Sequence, residues 1–259
     1  MHFSFPQIPF TRGRSKLNLL LFDEDWQSAI TEIECHPHET KVWSSRPGFF
    51  DGDHESSVLP IHVACSVHAP LDVIKAIVEA YPECVQAIES AFKRLPIHVA
   101  CQFAAPPDVI HYLVEQYMAG TMEADILGRL PIHYACSNGA PLDVVRILLN
   151  VNAASTLYAD LNGWIPLHVA VHFGAETEVV KEILDVSPPG IVNIKTKKGN
   201  TAICLAKKIT WKNKEEVLAL LDNAHEGSTT TPNLARSGYS CDGAKQRQNV
   251  KSSFISYAA

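Results

Sequence analysis

The sequence has no apolar run approaching the roughly 20 residues that a membrane-crossing helix needs. Its longest apolar cluster near the start, Leu17 to Phe22, is broken by Asn18 and followed by Asp23, Glu24 and Asp25. Arg12, Arg14 and Lys16 precede it, as basic residues precede a signal peptide's core. The cluster is shorter than the roughly 7–15 residues of such a core, and no small-residue cleavage site follows. Also missing are a Gly-x-Ser-x-Gly elbow, a phosphate loop, a Cys-x-x-Cys pair and a His-Glu-x-x-His helix, so no motif-borne route to catalysis is present. There is no basic excess: Lys and Arg number 22 against 28 Asp and Glu, a net charge of −6, which argues against a protein built to coat nucleic acid. With 46% hydrophobic and 19% charged residues the chain is neither fibrous nor disordered as a whole.

What is present is a repeat. Leu59-Pro60-Ile61-His62-Val63-Ala64-Cys65 returns as Leu95-Pro96-Ile97-His98-Val99-Ala100-Cys101 and as Leu130-Pro131-Ile132-His133-Tyr134-Ala135-Cys136. A looser copy runs Ile165-Pro166-Leu167-His168-Val169-Ala170-Val171, and a degenerate one Thr201-Ala202-Ile203-Cys204-Leu205-Ala206. The second positions, 60, 96, 131, 166 and 202, are 36, 35, 35 and 36 residues apart. Each motif is followed by a break and then a second apolar pattern opened by Pro and an acid: Pro70-Leu71-Asp72-Val73-Ile74, Pro107-Asp108-Val109-Ile110, Pro141-Leu142-Asp143-Val144-Val145, and in the fourth copy Glu176-Thr177-Glu178-Val179-Val180. Proline suits a first helical turn, and an acid there meets the positive end of the helix dipole. Val73, Ile74, Ile77 and Val78 form one helical stripe, not strand alternation. Tyr81-Pro82, Gly120 and Ser187-Pro188-Pro189 mark helix ends. Leu127-Gly128-Arg129 and Asn162-Gly163-Trp164 mark a β-turn or short hairpin between helix pairs. One such pair cannot bury its apolar face alone, but a stack of them can.

The pattern Pro-[Ile/Leu]-His-x-Ala followed by Asp/Glu-Val-[Val/Ile] resembles the ankyrin repeat, whose signature Thr-Pro-Leu-His-x-Ala recurs about every 33 residues. Val192-Asn193-Ile194-Lys195 and Lys198-Gly199-Asn200-Thr201 are similar to the family's hairpin and helix start. The resemblance covers roughly residues 59–224 and implies an all-α solenoid of paired antiparallel helices joined by short β-hairpin turns. The repeats fall at 59–94, 95–129, 130–164 and 165–200, with a partial capping repeat at 201–225. Residues 1–22 are expected to be a flexible arm. Residues 23–58 are expected to hold a capping helix over Asp23–Glu34, carrying Trp26, Ala29, Ile30 and Ile33, and then a loop from Pro47 to Ser57. The tail 226–259, rich in Ser, Thr, Gly, Asn and Gln, is expected to be disordered. Two departures stand out. Leu or Ile replaces the usual Thr cap in four copies, which costs about 0.5–2 kcal/mol per helix unless the side chain packs between repeats. The period is also two to three residues longer than the family's.

The ladder of His62, His98, His133 and His168 looks like chemistry when read along the chain. Equivalent positions of packed helices lie about 8–10 Å apart, whereas zinc gathers its ligand atoms at about 2.1 Å from one ion. The family resemblance implies buried histidines bonded to backbone at each repeat junction. Aligned Cys65, Cys101 and Cys136 are too far apart for disulfides, which need Cα atoms within about 7 Å. They read as small buried hydrophobes in a reducing compartment. Cys35-His36-Pro37-His38 groups metal-ligand types but has no second half elsewhere, and reads as a helix end. No catalytic residue, cofactor or metal is expected.

The resemblance implies protein partners lying across the concave face, built from hairpin tips and first helices. The expected contacts are Phe92, Arg94, Gln102, Phe103, Arg129, Ser137, Asn138, Trp164, His172 and Phe173, with Phe103, Phe173, Trp164 and Arg129 as the leading ones, because aromatic and Arg residues dominate binding hot spots. Trp164 and Phe92 have a second reading, as packing over neighbouring hairpins. From Val186 to Lys214 there is no acid and there are seven lysines, among them Lys195, Lys197 and Lys198. This stretch reads either as a solvated end cap or as a landing patch for an acidic partner. The chain is therefore expected to be a monomeric, non-catalytic interaction module in the cytoplasm or nucleus, with no specific nucleic-acid partner. A regulatory or targeting subunit of an enzyme complex is the alternative.

Overall fold

The computed structural model describes residues 15–47 and 55–229. In these, helices come in pairs: α1 (Lys16–Phe22) and α2 (Trp26–Cys35), α3 (Pro60–Ser66) and α4 (Leu71–Ala80), α5 (Pro96–Gln102) and α6 (Pro107–Gln116), α7 (Pro131–Ser137) and α8 (Leu142–Val151), α9 (Pro166–Phe173) and α10 (Thr177–Val186), α11 (Ala202–Lys208) and α12 (Lys214–Thr229). Two layers result. The first helices pack in the series α1, α3, α5, α7, α9, α11, and the second helices follow in parallel from α2 to α12. The protein is an all-α ankyrin-type solenoid.

The repeated residues explain the layers. In α3 every side chain is buried, so this short helix is enclosed on all sides. Each second helix buries one stripe: Val73, Ile74, Ile77 and Val78 in α4, Val109, Ile110, Leu113 and Val114 in α6, Val144, Val145, Leu148 and Leu149 in α8. Each such fully buried aliphatic side chain stabilises the stack by about 1.5–3 kcal/mol. A 3-10 turn follows α4, α6, α8 and α10. The chain then makes a tight turn spanned by a backbone hydrogen bond, Glu89 N–H to Arg94 O, Asp125 to Arg129, Asp160 to Trp164, and Thr196 to Asn200, and in the last three a second bond runs back from Gly128, Gly163 or Gly199 N–H to the first residue's carbonyl. Successive turns are tied by one further bond each: Ser90 N–H to Ser57 O, Ile126 to Phe92, Leu161 to Leu127, and Lys197 to Asn162.

Four expectations change at the ends. Residues 16–22 are not an arm. Ser15 caps α1 by accepting the Asn18 N–H, and Leu17 and Leu21 are completely buried. With α2 they form a helix pair that seats on α3 and α4 as a repeat would. The loop expected from Pro47 to Ser57 is bounded by two antiparallel strands that take in its ends, β1 (Ser44–Pro47) and β2 (Glu55–Val58), with Ser44 opposite Val58, and residues 48–54 lie outside the described residues. The capping helix starts later than expected, at Trp26, because Asp25 caps it. At the other end α12 runs through Thr229, past the expected start of the tail at residue 226. The remainder of the tail and residues 1–14 lie outside the described residues.

Candidate functional site

Turns and the ends of the first helices share one face. Arg94, in a turn, donates from Nη1 to Gln102 Oε1 at 2.5 Å, at the end of α5. Trp164, in a later turn, lies with its ring centroid 4.9 Å from that of His172, near the end of α9.

Four histidines hold this arrangement. Each sits at the third position of a first helix and accepts the N–H of the preceding Leu or Ile through Nδ1, at 3.1 Å for His62, His98 and His133 and 3.3 Å for His168. Nδ1 being the acceptor, Nε2 carries the proton. It donates to Ala87 O from His62 (3.1 Å), to Glu123 O from His98 (3.0 Å), to Trp164 O from His133 (3.1 Å) and to Ile194 O from His168 (3.0 Å). The ring thus supplies half of a capping box to a helix whose cap residue has no polar side chain. It also fastens that helix to the turn that ends its own repeat. Burial pushes the imidazoles down from 6.5, to about 4 for His62 and His98, and in the same direction for His133 and His168. Burial raises the thiols of Cys65, Cys84, Cys101 and Cys136, the last to about 12, so these remain protonated at neutral pH.

Carboxylates organise the turns, a role that the sequence reading missed. Asp125 Oδ1 accepts from Leu127 N–H (2.8 Å) and Arg129 N–H (2.9 Å), and Asp160 Oδ1 from Asn162 and Trp164 N–H at 2.8 Å each. The first turn is one residue longer, and there the longer Glu89 serves Ala91, Phe92 and Arg94 N–H. The signal was available: positions 89, 125, 160 and 196 share one phase of the repeat. Within each turn the residue before the last is left-handed, with φ of 73° at Gly128, 77° at Gly163 and 78° at Gly199. In the first turn the position falls to Lys93, at φ 61°.

The expected contact residues divide. Phe92 and Arg94 are core residues, 5% and 3% exposed, and do not present themselves to a partner. The Arg94 guanidinium lies between the rings of Phe92 (4.5 Å) and Tyr134 (4.8 Å), with Nε 3.6 Å from Asp125 Oδ2. Tyr134 donates to the same Asp125 Oδ2 at 2.5 Å, and burial raises its phenol. These groups serve repeat-to-repeat packing. Gln102, Phe103, Arg129, Ser137, Trp164 and His172 are half-buried, while Asn138, Phe173, Lys195, Lys197 and Lys198 are exposed. Arg129 reaches Asp160 Oδ2 at 3.7 Å and keeps 38% of its side chain exposed. Trp164, His172 and Phe173 form an edge-to-face series, with His172 and Phe173 also 4.9 Å apart. Phe173 is 49% exposed. Two turn-tip residues that the sequence reading did not single out, Ile126 (39%) and Leu161 (57%), extend this apolar surface. Leu161 lies over the preceding turn, its Cγ within 3.3 Å of where a Gly128 Cβ would stand.

Other candidate chemistry is dispersed. His36 Nδ1 lies 3.0 Å from Glu32 Oε1, and the His36 and His38 rings are 6.0 Å apart. Among the described residues no three His, Cys, Asp or Glu side chains are grouped so as to hold a metal ion. No described helix is long and apolar enough to cross a membrane.

No curated protein matches the chain. Family comparison matches residues 61–158 to ankyrin repeats, in three copies, and residues 162–197 to a further ankyrin repeat. Together these spans cover more than half of the sequence, and the chain belongs to the ankyrin-repeat family.

Proposed function

We propose that the protein is a non-catalytic scaffold or adaptor that holds a protein partner against the face shared by its turns and first-helix ends. Ankyrin repeats are in general protein–protein interaction modules. The observation that carries the finer reading is the exposed apolar series on that face: Ile126 and Leu161 at the turn tips, continuing through Trp164 and His172 to Phe173. Large apolar groups gathered on one face and rimmed by polar ones mark interaction surfaces. Trp, Tyr and Phe give much contact area for little lost side-chain freedom. The buried, unpaired thiols of Cys65, Cys84, Cys101 and Cys136 suit a reducing compartment such as the cytoplasm or nucleus.

The test is site-specific photocrosslinking in an extract of the source cells. A photoreactive residue in place of Phe173 is expected to give discrete protein adducts. The same residue in place of Lys75, exposed on α4 in the other layer, is expected to give none. Adducts at position 75 with none at 173 would overturn the assignment of the face.

A further inference from the structure

We infer that the C-terminal part of this face receives an acidic peptide segment carrying apolar anchors. The inference rests on the binding-face reading above and adds the chemistry of the partner.

The apolar series does not end in neutral surface. Lys197 donates its backbone N–H to Asn162 O at 3.0 Å, and its Cγ lies 3.3 Å from where a Gly163 Cβ would stand, so its stem runs over Gly163 in the turn that carries Trp164. Lys195 and Lys198 are exposed in the same turn, and Lys208 is drawn to it by a 2.9 Å bond from Nζ to Asn200 Oδ1. Lys214 in turn donates to Lys207 O at 3.0 Å. These lysines lie in a stretch with no acid from residue 186 to 214, and among the described residues none makes an ion pair with a carboxylate. The nearest turn carboxylate, Asp160, faces inward. Its Oδ1 is taken by backbone N–H groups, and its Oδ2 lies 3.7 Å from Arg129. The lysines of the cap therefore have no ion-pair partner among the described residues, and Lys197 is tied to the turn that carries Trp164.

Charge complementarity selects an acidic occupant for the lysines, and Leu161, Trp164 and Phe173 select apolar side chains beside the acids. The surface suits nucleic acid less well. The cations of its basic stretch are all lysines, without the planar fork of arginine that pairs with phosphate and base edges, and Arg129 is turned to Asp160. Its rings pack edge to face on one another instead of offering free faces for bases.

The experiment is selection of random dodecapeptides displayed on phage by the full chain, followed by titration of the synthetic winners by calorimetry. Winners are expected to be acidic with Leu, Ile, Phe or Trp interspersed. The triple variant K195E/K197E/K198E is expected to weaken them by about tenfold or more, and K195Q/K197Q/K198Q by less. Raising salt from about 50 to 200 mM is expected to weaken binding several-fold. Lys75→Glu should change it little, and circular dichroism should report unchanged helix content in every variant. Should a charge-reversed variant fail to fold, the salt dependence and the Gln variant decide. Neutral or basic winners, weakened by Phe173→Ala but not by lysine reversal, would overturn the acidic partner and leave the binding face standing. Winners indifferent to both sets of changes would sink the face as well. Tighter binding to a single-stranded oligonucleotide or to phosphatidylserine vesicles, lost on the same lysine reversal, would also overturn the inference.

Discussion

Acid should loosen this protein well before its carboxylates are neutralised. His62 and His98 are completely buried as neutral rings, and in the folded state they hold a proton only near pH 4, against an ordinary 6.5. The unfolded chain therefore binds protons more readily than the folded one. Stability is complete above pH 6.5 and falls as pH drops from there toward 4. A displacement from 6.5 to about 4 corresponds to about 3 kcal/mol for each ring, at about 1.4 kcal/mol per pH unit. The two together rival a whole domain's stability of about 5–15 kcal/mol, and His133 and His168 act in the same direction. Urea unfolding followed by circular dichroism at pH 7.5, 6.0, 5.5 and 5.0 tests this, since ordinary carboxylates are still largely ionised throughout that range. Stability should fall with a slope of about 2–4 kcal/mol per pH unit below pH 6. In His98→Asn the amide oxygen keeps an acceptor for the Leu95 N–H, while the bonds to Glu123 O and Arg129 O are lost. That variant should be less stable at pH 7.5 and should show a slope smaller by one proton. A flat profile from pH 7.5 to 5.0, or an unchanged slope in His98→Asn, would refute the reasoning.

Two further predictions concern the same architecture. Leu95→Thr restores a side-chain cap but removes a buried aliphatic group that is 3% exposed and lies against Gly120. Thermal denaturation should show a net loss of about 1–3 kcal/mol, and a higher melting temperature would show that Leu95 contributes no compensating packing. Gly163→Ala places a Cβ 2.8 Å from the Lys197 backbone nitrogen at a φ of 77°, and should destabilise by more than about 1 kcal/mol. Lys93→Gly relieves a left-handed φ of 61° at the equivalent position and should be neutral or stabilising by up to about 1 kcal/mol. Equal effects of the two substitutions in urea titrations would contradict the equivalence.

The repeat was legible because the core asks the same question every 35 or 36 residues, and Pro, His, Ala and the paired Val/Ile answer it locally. Burial of the turn residues was not legible in that way. Arg94 and Arg129 occupy the same phase, yet one is enclosed and the other half-open. Tyr134, 40 positions beyond Arg94, supplies the second aromatic wall over that guanidinium. The first helix was misread for a related reason. Leu17 and Leu21 have the i, i+4 spacing of a helix face, but its seven residues are too short for periodicity to decide. Packing against α2 and against α3, more than 35 residues away, gives the segment its burial. Surface function was the least legible, because Ile126 and Leu161 owe their exposure to standing at the tips of turns that only the stack defines.

The histidine at each helix start also has a consequence for how such a chain grows. Each imidazole needs a carbonyl roughly a repeat further along. In the fifth motif the position is Cys204, exposed, and among the described residues no turn follows α12 to meet it. The fifth helix pair therefore lacks the fastening that the four before it have. A duplicated copy of residues 130–164 inserted after position 164 would bring its own ring and its own acceptor, and would extend the array in phase. A copy appended after α12 would leave the fifth motif without such a fastening to it, unless residue 204 were first returned to histidine.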